Sequence, residues 1–377
     1  MVRTFTRRAR LALPAGAVAL AMGIVPALAA SPLSTGGWRV VATFTSEGAL
    51  GLGSVVAFSA RDGWAAGGSG SPRPALVLRW AGNGWHKVSL PPSVRRALNG
   101  GAQVVASSAA DVWLYNQRSW ARWNGKSWTT GRIPLAHKGA PRQSGNLLAF
   151  GRRDAWFIGQ FVTAGTAHPF AEHFNGHSWR AMPPPPVTGF VLSGASSSSI
   201  CAMNGQFGSS ITATTILACW NGRRWHRVPL PAGLDDKNAT IGSILVRSLR
   251  DIWVGGGRVG ASGIRGLAAH RTGSGWHLTI LPAVTTLATD VLELLVPDGH
   301  GGLWARGNCE CGGPAWRLWH YTGGRWVGPA LPAIGGTLGL VSGIAAVPGT
   351  SSAWAVGARG TSTGTDGVIL VHGRIPR

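Results

Sequence analysis

A short pattern recurs along almost the whole chain and constrains the fold more than any other feature. Its clearest copy runs from Asp111 to Trp128: Asp-Val-Trp, a variable segment, then Trp123-Asn124-Gly125-Lys126-Ser127-Trp128. Asp62-Gly63-Trp64 leads in the same way to Trp80-Ala81-Gly82-Asn83-Gly84-Trp85, and Asp154-Ala155-Trp156 to Phe174-Asn175-Gly176-His177-Ser178-Trp179. Asp251-Ile252-Trp253 precedes a weaker copy ending Gly273-Ser274-Gly275-Trp276. A period of this kind implies a repeated unit that stacks on copies of itself to bury its apolar face.

Each unit reads as four short strands, A to D. Strand A is an apolar run, as in Val55-Val56-Ala57-Phe58, Leu147-Leu148-Ala149-Phe150 and Ile344-Ala345-Ala346-Val347. Runs apolar on both faces suit a strand buried near the centre of a fold. Strand B opens with Trp64, Trp113, Trp156, Cys201, Trp253, Trp304 and Trp354, spaced by 43 to 52 residues. Strand C ends in an aromatic slot (Trp80, Trp123, Phe174, Trp220, Tyr321), with Arg271 as the exception. A turn follows, and strand D begins with another Trp. Asn-Gly at 124–125, 175–176 and 221–222 predicts a tight hairpin, because both residues tolerate positive φ. Pro closes strand D, as in Leu230-Pro231 and Leu281-Pro282, which fits an outer edge strand.

The seventh unit lacks a strand D after Val368–Val371, yet Gly36-Gly37-Trp38-Arg39-Val40-Val41 has the look of a turn and a D strand with no unit before it. The expectation is therefore all-β: a seven-bladed β-propeller of four-stranded antiparallel blades, the last closed by the N-terminal strand. Closure of this kind removes exposed edges between the ends. No helix is expected. Gly at 57 and Trp at 19, with only 13% charged residues, suit such a turn-rich sheet protein.

The first residues read differently. Arg3, Arg7, Arg8 and Arg10 precede an apolar stretch from Leu11 to Leu28, and Ala27-Leu28-Ala29 fits a cleavage site. Residues 1–29 are expected to be a signal peptide, of Sec or twin-arginine type, with an uncleaved anchor as the alternative, and 30–377 a single propeller. Removing those four Arg, with no acid, lowers the formal charge from +22 to about +18. No second apolar run is long enough to span a bilayer. The excess of Arg is consistent with composition alone or with a polyanionic partner.

The repeated residues read as structural. Asp62, Asp111, Asp154 and Asp251 sit in the A-to-B turns, where a carboxylate accepts backbone N–H bonds. Trp64, Trp113, Trp156, Trp253, Trp304 and Trp354 pack between blades. His173, His270 and His320, like Arg79 and Arg122, precede the aromatic slot; a register position open to either type is a blade-face position rather than a metal site.

These units resemble the repeats of secreted bacterial β-propeller proteins with Asp-x-Trp-Ala-Val-Gly and aromatic-x-Gly-x-x-Trp signatures. Trp354-Ala355-Val356-Gly357 and Trp123 to Trp128 are the nearest matches, over about residues 36 to 373. More loosely they are similar to kelch and tectonin repeats; Gly67-Gly68 is kelch-like. The resemblance implies a fold and export, and no defined activity.

Motifs for chemistry are sparse. Sialidase-type Asp boxes are missing, and a copper site of the galactose-oxidase kind would need Tyr ligands where only Tyr115 and Tyr321 exist. Of the acids outside the turn set, Asp235, Asp236, Asp290, Asp298, Glu172, Glu293 and Glu310 have no motif linking them. Cys201 and Cys219 lie in paired strands and are candidates for a disulfide that replaces the missing Trp; Cys309 and Cys311 either bridge each other or hold metal, the bridge being favoured. Neither a cofactor nor a metal is expected.

The variable B-to-C and D-to-A loops are the expected binding face. Arg95, Arg96, Lys138, Arg142, Arg258 and Arg265 are the candidate ligand-binding residues on it. The function expected is a secreted, monomeric, non-enzymatic binding scaffold at the cell envelope or outside the cell. Its ligand would be an anionic polymer, a glycan or an envelope protein, with nucleic acid disfavoured by export. The alternative is an exported carbohydrate-active hydrolase or lyase on the same scaffold.

Overall fold

A computed structural model describes residues 37–45, 50–70, 72–134, 143–204, 215–235, 238–260, 263–273, 275–282, 291–308, 316–330, 339–362 and 364–374. The signal peptide expected over 1–29, together with Lys138, Arg142, Cys309 and Cys311, lies outside the described residues.

Seven sheets of four antiparallel strands follow one another along the chain. Blade 1 is β2 (Gly51–Ser59), β3 (Asp62–Gly68), β4 (Leu76–Trp80) and β5 (Trp85–Lys87). Blade 2 is β6 (Gln103–Ser108), β7 (Asp111–Tyr115), β8 (Ser119–Trp123) and β9 (Trp128–Arg132). Blade 3 is β10 (Gln143–Gly151), β11 (Asp154–Thr163), β12 (Thr166–Phe174) and β13 (Trp179–Met182). Blade 4 is β14 (Phe190–Ser196), β15 (Ser199–Asn204), β16 (Leu217–Trp220) and β17 (Trp225–Val228). Blade 5 is β18 (Ala239–Ser248), β19 (Asp251–Gly260), β20 (Gly263–Thr272) and β21 (Gly275–Ile280). Blade 6 is β22 (Val291–Pro297), β23 (Leu303–Asn308), β24 (Trp316–Thr322) and β25 (Arg325–Ala330). Blade 7 is β26 (Gly339–Ala346), β27 (Ala353–Thr361), β28 (Gly364–His372) and, as its fourth strand, β1 (Trp38–Phe44).

Each first strand touches the first strand of both neighbouring blades, including β26 against β2, so the ring is closed. Hydrogen bonds reinforce the seams at the centre: Ser54 Oγ accepts the Val104 N–H, Ser193 Oγ accepts the Val246 N–H, and Ser243 Oγ donates to Leu292 O. The closing pair is β1 on β28, with Trp38 opposite His372.

Aromatic packing explains the period. The B-strand Trp of one blade packs on the aromatic pair that brackets the C-to-D turn of the next. Trp64 meets Trp123 and Trp128, Trp113 meets Phe174 and Trp179, and Trp253 meets Tyr321 and Trp326. Trp354 meets Trp80 and Trp85, which carries the pattern from blade 7 to blade 1, and Trp304 meets Trp38 and His372. His372 thus fills the slot of the seventh blade. Trp304, Trp253 and Trp156 are nearly sealed from solvent, as interblade aromatics should be.

The exceptions fall together. Cys201 and Cys219 are register partners in blade 4 and form a disulfide. This blade has no B-strand Trp to offer blade 5, and it is blade 5 that has Arg271 in the aromatic slot. Arg271 Nη1 donates to Leu249 O, just as Trp80 Nε1 donates to Ala60 O in blade 1. The substitution keeps the bond to the turn while giving up the ring.

Several expectations need correction. A six-residue helix, α1 (Pro92–Ala97), links blades 1 and 2; Pro starts it, and Val94 and Leu98 are buried beneath it. In the Asn-Gly turns only the Gly takes positive φ, at 93°, 99° and 90° for Gly125, Gly176 and Gly222. The Asn acts through its side chain: Asn124 Oδ1 accepts the N–H groups of Lys126 and Ser127, and Asn175 and Asn221 repeat the arrangement. The turn Asp residues also find a different partner. Asp62 binds Arg79, Asp111 binds Arg122, Asp154 binds His173 and Asp251 binds His270, each from strand C of its own blade. Asp298, which stood outside the motif, is the turn acid of blade 6: its Oδ2 bonds His320 Nε2 at 2.9 Å.

Candidate functional site

Antiparallel order puts the A-to-B and C-to-D turns on one face, the turn face, and the B-to-C and D-to-A connections on the other, the hairpin face. The hairpin face is less loop-like than expected. In blades 3, 5 and 7 the B and C strands run nine or ten residues, with only two residues between them. Arg258 and Arg265 therefore lie in paired strands, opposite each other, and not in loops. Arg258 Nη1 donates to Gly233 O and Arg265 Nη2 to Leu281 O, so both tie the long hairpin to nearby chain.

A depression of about 580 Å³ opens on this face across blades 7, 1 and 2. Its floor is glycine-rich: Gly51, Gly53, Gly67, Gly68, Gly100 and Gly101. Packed backbone explains this. A Cβ on Gly67 would stand 2.0 Å from Gly51 O, and one on Gly68 would stand 2.5 Å from the Gly101 Cα. Peptide groups therefore form much of the surface that a ligand would meet. The connection from β3 to β4 is pinned to the segment after α1 by Gly70 N–H to Gly100 O and Ala75 N–H to Leu98 O, which holds that wall in place.

Polar side chains rim the cavity. Asn116 and Gln117 are committed: Asn116 Oδ1 accepts from Arg118 and Ser119 N–H, and Gln117 Oε1 accepts from Gly145 N–H. The Arg118 side chain is exposed and, among the described residues, forms no ion pair. Tyr115 lines the wall but is buried, and burial pushes its hydroxyl up to about 12, a bond with the Leu147 backbone offsetting this only in part. Among the described residues, the lining contains no Asp, Glu or His.

A second depression, lined by Pro72, Pro74, Pro92, Arg95, Arg96 and Asn99, adjoins the first, and the two share Asn99. Arg95 and Arg96, both exposed on α1, thus lie on an outward continuation of the cavity. Of the expected binding residues, the structure brings these two together and sets Arg258 and Arg265 apart in blade 5. Sequence reasoning missed Arg118. Its only mark is position, within a three-residue connection between β7 and β8.

The acids left over from the repeats do not converge among the described residues. Glu293 is held in blade 6 by Arg306 and Asn308, at 2.9 and 3.0 Å. Burial of Arg306 pulls its guanidinium below its usual range, with Glu293 working against that shift. Glu172 is buried in β12, and burial raises its carboxyl; Asp235 is exposed after β17. Among the described residues, no group of three or more His, Cys, Asp or Glu is placed to hold a metal ion. Nor is any helix among them long and apolar enough to cross a membrane.

No family model matches the chain, and no curated protein matches it. Solved structures do. An oligogalacturonate lyase from Vibrio parahaemolyticus superposes with a TM-score of 0.55 at 7% identity, over 89% of this chain and 98% of that one. A puromycin-hydrolyzing peptidase from Mycobacterium tuberculosis gives 0.54 at 13% identity, over 87% of this chain and 53% of the other. The extracellular domain of a one-component system from B. thetaiotaomicron gives 0.53 at 13% identity over 88% of this chain, which spans only 39% of that protein. At such identities the likeness is one of fold: the chain is a seven-bladed β-propeller.

Proposed function

We infer that the protein is an extracellular, non-enzymatic binding scaffold whose hairpin face holds an oxygen-rich, anionic chain such as an acidic glycan. The observation that carries this reading is the composition of the cavity and its outward groove. Three cations, Arg95, Arg96 and Arg118, stand beside exposed peptide groups, and among the described residues no acid or imidazole lines either depression. Guanidinium groups match carboxylates and sulfates in geometry, and peptide N–H and C=O groups suit hydroxyls. A buried tyrosine held protonated is a poor base, which weighs against elimination chemistry there. Export fits the Cys201–Cys219 disulfide.

Titration calorimetry with uronate-containing and neutral oligosaccharides of equal length tests the reading. Binding of the acidic series alone is expected, weakened about tenfold or more by Arg118→Ala, in line with loss of a charge-assisted bond. Release of shortened or unsaturated products would overturn the non-enzymatic reading in favour of a lyase or hydrolase.

A further inference from the structure

The turn face has a charge arrangement of its own. The residue before each turn acid sits in the A-to-B turn, beside the C-to-D turn of the same blade. Arg61 lies along Gly82, its Cγ 3.5 Å from where a Cβ would stand, and Arg153 crowds Gly176 at 2.5 Å by the same measure. Arg250 holds the equivalent place in blade 5. The C-to-D turns add Lys126 in blade 2 and Arg223 and Arg224 in blade 4. All six are exposed, and among the described residues none forms an ion pair. Arg325 extends the set to blade 6, where it is also exposed.

The acids of this face are already spoken for. Asp62, Asp111, Asp154, Asp251 and Asp298 are each bound by the Arg or His of strand C. Among the described residues, the turns therefore present cations around the ring with no uncommitted carboxylate between them. The relief is low, because the A-to-B turns of blades 1 to 5 span only two residues between strands. The exposed large apolar residues, Val41, Val162, Val259, Ile280 and Val327, all lie outside these turns.

We propose that the turn face docks on an anionic lipid bilayer, held by charge with no inserted side chain. The cations come from six consecutive blades, so they are spread over two dimensions. A plane of headgroups meets all of them, whereas a linear polyanion meets a stripe. Base stacking of single-stranded nucleic acid would call for exposed aromatic rings, and among the described residues no aromatic is one of the exposed large apolar side chains. Juxtamembrane cations act additively and are screened by salt.

The test is co-sedimentation of the purified protein with vesicles of phosphatidylcholine plus phosphatidylglycerol, beside phosphatidylcholine alone. Binding to the anionic vesicles only, lost on adding salt, is expected. Each cation is worth about fivefold in affinity, so Arg223→Glu with Arg224→Glu lowers binding about twenty-five-fold or more. The pair Arg95→Glu with Arg96→Glu changes net charge equally on the opposite face and leaves vesicle binding as it was. Thermal melting checks that both variants fold; Arg61→Glu with Lys126→Glu serves if the first pair does not. Equal binding to neutral vesicles overturns the proposal, as does an equal loss from the Arg95 and Arg96 pair. Retention of soluble DNA or polyuronate with no retention on anionic vesicles overturns it as well. The outcome is independent of the hairpin-face cavity.

Discussion

His320 lies flat on Trp304, with ring centroids 3.9 Å apart and planes 8° from parallel, while its Nε2 bonds Asp298 Oδ2. Blade 5 repeats this with His270 on Trp253 at 3.8 Å. In blades 1 and 2 the guanidinium of Arg79 stands over Trp64 and that of Arg122 over Trp113. One side chain from strand C is thus clamped between an acid and an indole, joining the turn to strands B and C.

The clamp should accept exchange of its middle member. His320→Ala leaves the nearly sealed Asp298 without its side-chain partner and is expected to lower stability by about 2 kcal/mol. His320→Arg should lose less than half as much, because Arg already serves in two blades. Urea unfolding followed by Trp fluorescence measures both, and equal losses would show that the slot demands an imidazole.

The closing strand offers a second prediction. Trp38 packs edge-on against Trp304 at 5.4 Å and lies 5.3 Å from His372. Trp38→Ala empties the seam between blades 6 and 7, for a loss of about 3–5 kcal/mol in the same assay. A loss below about 1 kcal/mol would mean that β1 holds by backbone pairing alone.

His372 makes that blade sensitive to pH. Burial, followed by the nearby charge of His320, pulls its imidazole below its ordinary value of 6.5, while a bond with the Ser351 backbone acts the other way. The folded form therefore favours the neutral ring. Its contribution is fully present above 6.5 and falls away as pH drops from there toward the lowered value. Melting temperatures across that window should decline in the native protein and decline less in His372→Phe, since Phe fills the same slot at Phe174.

The disulfide should matter at its own seam. Cys201 and Cys219 are 18 residues apart, and loss of the link by double substitution to Ser should remove about 3 kcal/mol. Denaturation with and without reductant gives the comparison. The reduced native protein is expected to match the double variant.

Gly67→Ala tests the cavity floor. The new methyl would meet Gly51 O at 2.0 Å, so the two backbones must part, at a cost of about 1–3 kcal/mol. Ligand binding at the cavity should fall with it, measured by the same calorimetry.

The ring and its closure were legible because every seam but that between blades 4 and 5 leaves a written mark: a Trp in one unit and an aromatic pair in the next. The displaced strand at Trp38 carried that mark as clearly as any internal copy. The partners of the turn acids were not legible. They lie 11 to 22 residues away, across hairpins of different length, so no fixed spacing records them. Asp298 was missed for a related reason: its turn is longer, and the acid sits six residues before Trp304 instead of two. The cavity left almost no trace, since glycines and peptide groups from three blades form it. Arg258 and Arg265 were misplaced because Gly-rich strands read as loops.

Pairing β1 with β28 also sets an order of events. Among the described residues, β1 precedes 27 other strands, yet its partner is the last of them. During synthesis it must wait, unpaired, while all six complete blades and the rest of the seventh emerge. The ring can lock only after that wait, through contacts more than three hundred residues apart in sequence, which makes closure a late and slow step of folding.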